Sequence, residues 1–381
     1  MSHNQAIAVR TVSGNVRPAH TVRSDMKLSV LDLISVRDGQ TTGQALRASK
    51  QLVDTADRLG FTRYWVAEHH NMPSVASTAP ATELMYLGQD TEQIRLGSGG
   101  VMLPNHAPLA VAEQFALLTA AYGDRIDLGI GRAPGTDPIT SAAMRGHLGE
   151  GRMVDRAGNT LDPVEQFPQH IVDILSLFSP GGAEIPMFGD RVHRLSPTPH
   201  LDAAPEVWLL GSSGYSAQLA AVLGLPYVFA HHFAGRGTET ALGLYRSEFT
   251  ATEYGSTPKT FVTVNTIAAE TEEEAWKLAG PYQYTMANLR VGDPMRPLPT
   301  VGARVDELMT DGHRALAEQM TAPWAIGTPD QVAAKLRADA ERFGVDEIML
   351  QPVAGSYESD PLDAAPARVR TLELVVEALA D

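Results

Sequence analysis

IRLGSGGVMLPNHAPLAVAEQFALLTAAYGDRIDLGIGRAPG, residues Ile94 to Gly135, holds one complete strand-helix-strand unit. Its apolar start predicts a buried strand over Ile94 to Leu103, the run Pro108 to Ala121 predicts a helix, and Arg125 to Gly129 predicts a second strand ending in Gly131-Arg132. A helix between two strands points to a parallel pair, because parallel neighbours need a crossover whereas antiparallel ones can be joined by a tight turn. Glycine weakens a buried strand unless something approaches the backbone closely. Gly99 and Gly100 therefore read as a place where a flat cofactor lies against the chain.

The same alternation extends outward in both directions. Upstream, Lys27 to Val36 (KLSVLDLISV) predicts a strand, and Gly43 to Leu59 predicts a helix with Leu46, Leu52, Val53, Ala56 and Leu59 at helical spacing before Gly60. Tyr64 to Ala67 predicts the second strand and Ala79 to Asp90 the second helix. Downstream of Arg132 the rhythm breaks over Ala133 to Thr160, resumes in a helix over Asp162 to Phe178, and breaks again over Pro180 to Pro205. Strands are then expected at Glu206 to Leu210, Tyr227 to His231, Thr260 to Ala268 and Asp346 to Gln351. Helices are expected at Ser216 to Leu223, Glu239 to Thr252, after Thr271, at Pro329 to Arg342 behind the cap Thr328, and at Pro366 to Ala380. A third irregular stretch, Pro294 to Pro323, surrounds a short helix.

Eight strands separated by helices predict an α/β protein, a (β/α)8 TIM barrel with insertions after strand 4 (about 135–205) and after strand 7 (about 288–325). An open doubly wound sheet is the alternative, since losing one strand from the count leaves that topology. Residues 1–25 read as a flexible tail and 26–381 as a single domain.

Composition narrows the function. With 45 acidic and 30 basic residues the formal charge is −15, which opposes nucleic-acid binding because phosphate neutralisation needs a cationic surface. No window reaches the roughly 18 apolar residues of a membrane span. The chain has no cysteine, so disulfides, thiolate metal sites and cysteine nucleophiles are excluded. The start lacks the basic-then-apolar order of a secretory signal, and a cytoplasmic small-molecule enzyme is expected.

In a barrel, the loops after the strands gather at one face, and the unusual residues lie there. Glu68-His69-His70 ends strand 2, Gly99-Gly100 and Asn105-His106 end strand 3, and Gly131-Arg132 ends strand 4. Gly211-Ser212-Ser213-Gly214-Tyr215 ends strand 5 and His231-His232 ends strand 6, while Asp32 stands where strand 1 turns polar. The Gly211–Tyr215 turn opens a helix, where free N–H groups and the helix dipole favour an anion, and Arg132 completes a phosphate clamp. A serine-glycine turn that only caps the helix is an equal reading of those residues alone. His69 suits a general acid/base, with Glu68 orienting it, whereas a strand-end histidine is also often just a polar rim residue. A metal held by His69, His70, His106, His231 and His232 is not expected, because no His-x-x-x-His helix or carboxylate cluster accompanies them.

RYWVAEHHNMP (Arg63 to Pro73), Leu96 to Gly135, with LPNHAPLAVAEQFALLTAAYGDRIDLGIGR as its most specific run, and Gly211 to Ala220 together resemble the bacterial luciferase-like flavin monooxygenases. The resemblance implies a barrel that binds FMN, reduced by a separate NAD(P)H:flavin reductase, and that uses O2 through a flavin C4a-(hydro)peroxide on a small organic substrate. It implies His69 as the catalytic histidine with Glu68 beside it, and Gly99-Gly100 as a cis peptide under the ring. Phosphate contacts fall to Arg132 and Gly211, Ser212, Ser213, Gly214 and Tyr215. Asp32, His70, His106, His231 and His232 are the expected substrate-pocket residues. Gly131 stands where luciferase carries its active-site cysteine, so a non-luminescent branch is implied. A sister branch uses deazaflavin F420 for hydride transfer, and some relatives are non-catalytic flavin-binding proteins; both remain alternatives. Relatives also pair as homodimers through the helices after strands 2 and 3, where Leu84, Met85, Leu87, Leu109, Phe115, Leu117 and Leu118 are apolar.

Overall fold

The computed structural model describes residues 26–146, 162–187 and 191–380, so the expected tail and part of the stretch after Arg132 lie outside the described residues. Eight strands carry the architecture: β1 (Lys27–Asp32), β2 (Arg63–Val66), β3 (Arg95–Ser98), β4 (Ile126–Gly131), β5 (Glu206–Gly211), β6 (Tyr227–Phe229), β7 (Thr260–Ala268) and β8 (Glu347–Pro352). All pair in parallel in chain order, and the β8–β1 pairing closes the ring into a (β/α)8 barrel. The open doubly wound alternative is thereby excluded.

The helices form where sequence supplies both a cap and an apolar stripe. Thr41 and Gln44 make a reciprocal capping box before helix Thr42–Arg58, and Thr328 and Gln331 do the same before Pro329–Phe343. Their buried faces press on the outside of the barrel, with Leu52, Leu84, Phe115 and Leu336 wholly excluded from water. Of the apolar residues expected at a dimer face, Leu84, Leu87, Phe115 and Leu118 are buried in this wall, whereas Met85 and Leu117 are exposed.

Inside the barrel the lower layer is polar and aromatic. Arg63 pairs with Asp127 at 2.7 Å and with Glu347 at 2.7 Å, and its guanidinium lies 4.8 Å from the Trp208 ring centre. Trp65 donates to Asp127 at 3.0 Å and meets Trp208 edge-on at 5.6 Å. This plug fills the middle of the barrel and separates a polar pocket at the strands' N-terminal ends, lined by Lys27, Arg63, Glu206 and Glu347, from the space at their C-terminal ends.

Several elements differ from the sequence reading. The strand expected over Ile94 to Leu103 breaks at a cis Gly99–Gly100 peptide, continues as Val101–Met102 and turns into a short 3-10 helix, Leu103–Asn105. Leu96 pairs with Ile126 but Val101 with Ile130, so five steps on one strand oppose four on the other, and the extra residue is taken up at the glycines. The strand expected to reach His231 stops at Phe229, because His231–Ala234 coils into a helical turn closed by left-handed Gly235. The stretch read as irregular after Arg132 contains helix Pro138–Met144, capped by Asp137, and the stretch before Pro205 contains the hairpin Ala183–Pro186 with Val192–Leu195. The helix expected from Asp162 begins at Phe167. Helix Glu272–Val291 is followed by two helices, Ala303–Leu308 and Asp311–Thr321, and by an unexpected strand Ala325–Gly327 alongside β7.

Candidate active site

A cavity of about 750 Å3 opens at the C-terminal mouth of the barrel. Its floor comes from inward-facing strand residues, Leu31, Trp65 and Met349, joined by the bare backbone of Gly99 and Gly100. Its walls carry His69, His70, Arg132, Gly211, Ser212, Ser213 and His232, from the ends of β2, β4, β5 and β6. The glycines have an internal reason to be glycine. A Cβ on Gly100 would sit 2.7 Å from the Gly129 carbonyl oxygen, and one on Gly99 would sit 2.9 Å from Leu31. Close contact beneath the cavity, rather than room above it, therefore sets the residue type.

His69 donates from Nδ1 to the Gly135 carbonyl at 3.2 Å. A carbonyl can only accept, so the proton resides on Nδ1 and Nε2 keeps its lone pair. Burial draws the His69 pKa below its ordinary value, against the opposing effects of that hydrogen bond and of the Glu68 carboxylate, and the ring is neutral at neutral pH. Gly135 also accepts from the His70 N–H at 3.4 Å, and Thr136 Oγ1 donates to the His70 carbonyl at 2.8 Å. The loop after β4 is thus stitched to the loop after β2.

Glu68 is buried behind the cavity wall rather than on it. Its Oε1 accepts from Nε2 of His70 at 2.9 Å and from Nε2 of His106 at 2.8 Å, while Oε2 accepts from the Met102 N–H at 2.9 Å. Burial alone would raise its pKa, but the hydrogen bonds from His106, His70 and Met102 outweigh it and hold the carboxyl below its ordinary value. Glu68 so ties together the ends of β2 and β3 as an anion at neutral pH.

Arg132 stacks over the Tyr215 ring at 4.3 Å and, among the described residues, makes no ion pair. Helix Gly214–Leu223 begins beside it with Ser213 at the N-cap, extended and with no side-chain cap. An unpaired guanidinium beside an uncapped helix start is the chemistry an anion requires. Gly214 and Tyr215 themselves stand behind the wall, Tyr215 serving as the surface on which Arg132 rests.

Three expected pocket residues do not reach the cavity. Asp32 is fully buried outside the barrel, accepting from Tyr64 at 2.5 Å and Ile34 N–H at 2.8 Å and paired with Arg368. Successive strand residues face opposite sides, and Leu31 takes the inward position. His231 donates or accepts at Thr238 Oγ1 over 2.8 Å and packs edge-on to Phe343 at 4.9 Å. Consecutive residues of a helical turn diverge by about 100°, so only His232 of the pair turns to the cavity. His106 is held on Glu68, off the wall. His232, in contrast, lines the cavity with Nδ1 buried and without a partner, and burial brings its pKa down to about 3.

Sequence reasoning named Gly99 and Gly100 but missed the floor side chains Leu31, Trp65 and Met349 and also Asn71, Met72, Met102, Thr263, Arg290 and Met295 on the walls. Period-two alternation could have found Leu31, Trp65 and Met349. Nothing local marked the others. Among the described residues no group of three or more His, Asp or Glu side chains is arranged to hold a metal ion.

The luciferase-like monooxygenase family model matches residues 26–347. The chain is 36% identical to the luciferase-like monooxygenase of Escherichia coli (strain K12), over 92% of this chain and 96% of that one. The solved structure of apo-MsnO8 is 32% identical, covers 93% of this chain and 98% of its own, and superposes with a TM-score of 0.78. The fold is also that of a type II Baeyer-Villiger monooxygenase in complex with FMN, the oxygenating constituent of 3,6-diketocamphane monooxygenase from Pseudomonas putida. That match has 20% identity over 93% of this chain and 98% of that one, with a TM-score of 0.68.

Proposed function

Because the chain belongs to the luciferase-like monooxygenase family, we propose that it is an FMN-dependent monooxygenase using reduced flavin and O2 to oxidise a small organic substrate. The observation that carries this is the joining, in one cavity, of an Arg132 that is unpaired among the described residues, beside an uncapped helix start, with an apolar, glycine-backed floor. A flat ring bearing a phosphate on a flexible arm fits both halves. The floor of Leu31, Trp65, Met349 and Gly99-Gly100 takes the ring, and Arg132 with the Ser212 and Ser213 backbone takes the phosphate. The volume leaves room for a small second molecule.

When bound, reduced FMN supplies the electrons that activate O2. The chain's own part is positional and protolytic. His69, neutral and oriented by Gly135, takes or returns a proton at Nε2. Glu68 holds His70 and the Met102 backbone so that the β2 and β3 ends keep their spacing. The apolar floor excludes water from the ring face.

A separate NAD(P)H:flavin reductase supplies the reduced cofactor in this reading, since no Gly-x-Gly-x-x-Gly turn for a nicotinamide is present in the chain. Met85, Tyr86 and Leu117, exposed on the helices after β2 and β3, are where a second copy would seat.

The test is substrate-dependent O2 uptake by protein given FMN and a flavin reductase, with His69→Ala lowering turnover while FMN stays bound. Unchanged turnover in that variant removes the assigned role. Retention of F420 in preference to FMN would replace oxygenation by hydride transfer, and tight flavin binding with no substrate-linked O2 uptake would leave a flavin-binding protein.

A further inference from the structure

Arg132, Asp137 and Arg290 are the only Asp, Glu, Lys or Arg side chains on the cavity wall among the described residues. Asp137 is spent on capping helix Pro138–Met144: Oδ1 accepts from the Ile139 and Thr140 N–H groups at 2.9 and 3.0 Å, and Oδ2 from Thr140 Oγ1 at 2.6 Å. Two guanidinium groups without acidic partners among the described residues therefore face one cavity in a chain whose formal charge is −15. Such a concentration of positive charge within an acidic molecule selects anions.

Arg132 stands at the β4–β5 side, where a cofactor phosphate uses it. Arg290 stands two strands further round, in the last turn of helix Glu272–Val291, which follows β7. Its guanidinium crosses to the loop after β6, lying 5.7 Å from the Phe233 ring centre with Nη2 donating to the Phe233 carbonyl at 3.5 Å. A basic residue at a helix end commonly serves the helix dipole. Here that end is already closed by left-handed Gly292, whose N–H reaches the Asn288 carbonyl, while the Asn288 side chain ties down the following chain by donating to the Pro294 carbonyl at 3.2 Å. Arg290 is thus turned towards the cavity mouth and away from its own helix. Its neighbours on the wall are apolar, namely Phe233, Leu289 and Met295, while adjacent His232 is neutral and adds a hydrogen-bonding atom without charge.

We propose that the substrate is an organic carboxylate with an apolar body, its carboxylate taken by Arg290 and its body laid along Leu289, Phe233 and Met295 towards His69. This deepens the monooxygenase reading and rests on it for the second occupant of the cavity. With the cofactor phosphate on Arg132, Arg290 is the remaining Lys or Arg on the wall among the described residues. The anion therefore docks at the β6–β7 side, across the mouth from the phosphate.

The test compares octanoate with octan-1-ol by isothermal titration calorimetry on the FMN-loaded protein at about pH 7. A charge-assisted hydrogen bond at a partly solvated site corresponds to a preference of about 10-fold for the acid. Arg290→Gln is expected to bring the two ligands to within about 2-fold, Arg290→Lys to keep part of the preference, and added salt to weaken it in the parent protein. Equal binding of acid and alcohol by the parent protein, or an unchanged ratio in Arg290→Gln, overturns the proposal. Failure of FMN to bind is a separate outcome that strikes the monooxygenase reading. The octanoate-to-octanol ratio is then measured in cofactor-free protein carrying Arg132→Gln, which removes the other cation, and the same two results decide.

Discussion

Gly135→Ala tests whether the loop after β4 positions His69. Gly135 has φ +68°, a left-handed conformation that costs an L-residue about 1–2 kcal/mol. A Cβ there would also lie 2.7 Å from the Glu68 carbonyl oxygen and 3.1 Å from Met102 Cγ, so the loop must move outward. That movement breaks the 3.2 Å bond from His69 Nδ1 and the 3.4 Å bond from the His70 N–H, each worth about 1 kcal/mol. The expected loss is about 2–4 kcal/mol. Gly39→Ala is the control, because Gly39 has φ +77° with nothing within 4 Å, and it carries the conformational cost alone. Urea unfolding of the two variants should therefore differ by about 1–2 kcal/mol, the worth of the contacts. His69 should respond as well. Losing the Gly135 bond lowers its pKa and admitting water raises it; burial is the larger influence, so a displaced loop that admits water moves it back up towards its ordinary 6.5. An NMR titration of the imidazole, or the acid limb of the turnover profile, reads this shift. If Gly135→Ala loses no more stability than Gly39→Ala and His69 titrates as in the parent protein, the coupling of loop and histidine is wrong.

Glu68→Gln replaces a buried acceptor of three hydrogen bonds by an amide with one oxygen, and should cost about 2–3 kcal/mol in urea unfolding. The parent carboxyl sits below the 4.5 it has when unfolded, so its stabilisation is full above that value and fades as pH falls through the folded value; the variant should lack this part of the acid limb. Arg368→Met strands the buried Asp32 carboxylate and should cost about 3–5 kcal/mol, most of it recovered in Asp32→Leu/Arg368→Met, as unfolding of both variants would show. Arg132→Gln should raise the Kd for FMN by about 10- to 100-fold and leave riboflavin, which has no phosphate, nearly unaffected. Equal losses for the two flavins would place the phosphate elsewhere.

Strands, helices and their caps were legible from residues near one another in the chain. KLSVLD, TFVTVNTIA and the Thr328–Gln331 cap each carry their own period or end signal, so β1, β7 and helix Pro329–Phe343 follow from local chemistry. Barrel topology then carries every strand end to one mouth, which is why Arg132, Ser212 and His69 could be grouped before any coordinates. Tertiary structure alone decided which of two adjacent residues faces the cavity: Leu31 and not Asp32, His232 and not His231. That choice depends on strand phase and on where a helical turn begins, and a one-residue change reverses it. Only the fold brought Gly135 to His69 and Arg290 to Phe233, pairs 66 and 57 positions apart. The sequence determined what chemistry each strand end could offer. The three-dimensional closure determined which of those groups meet, because contact between distant residues is set by packing across the whole barrel and leaves no periodic trace in either segment.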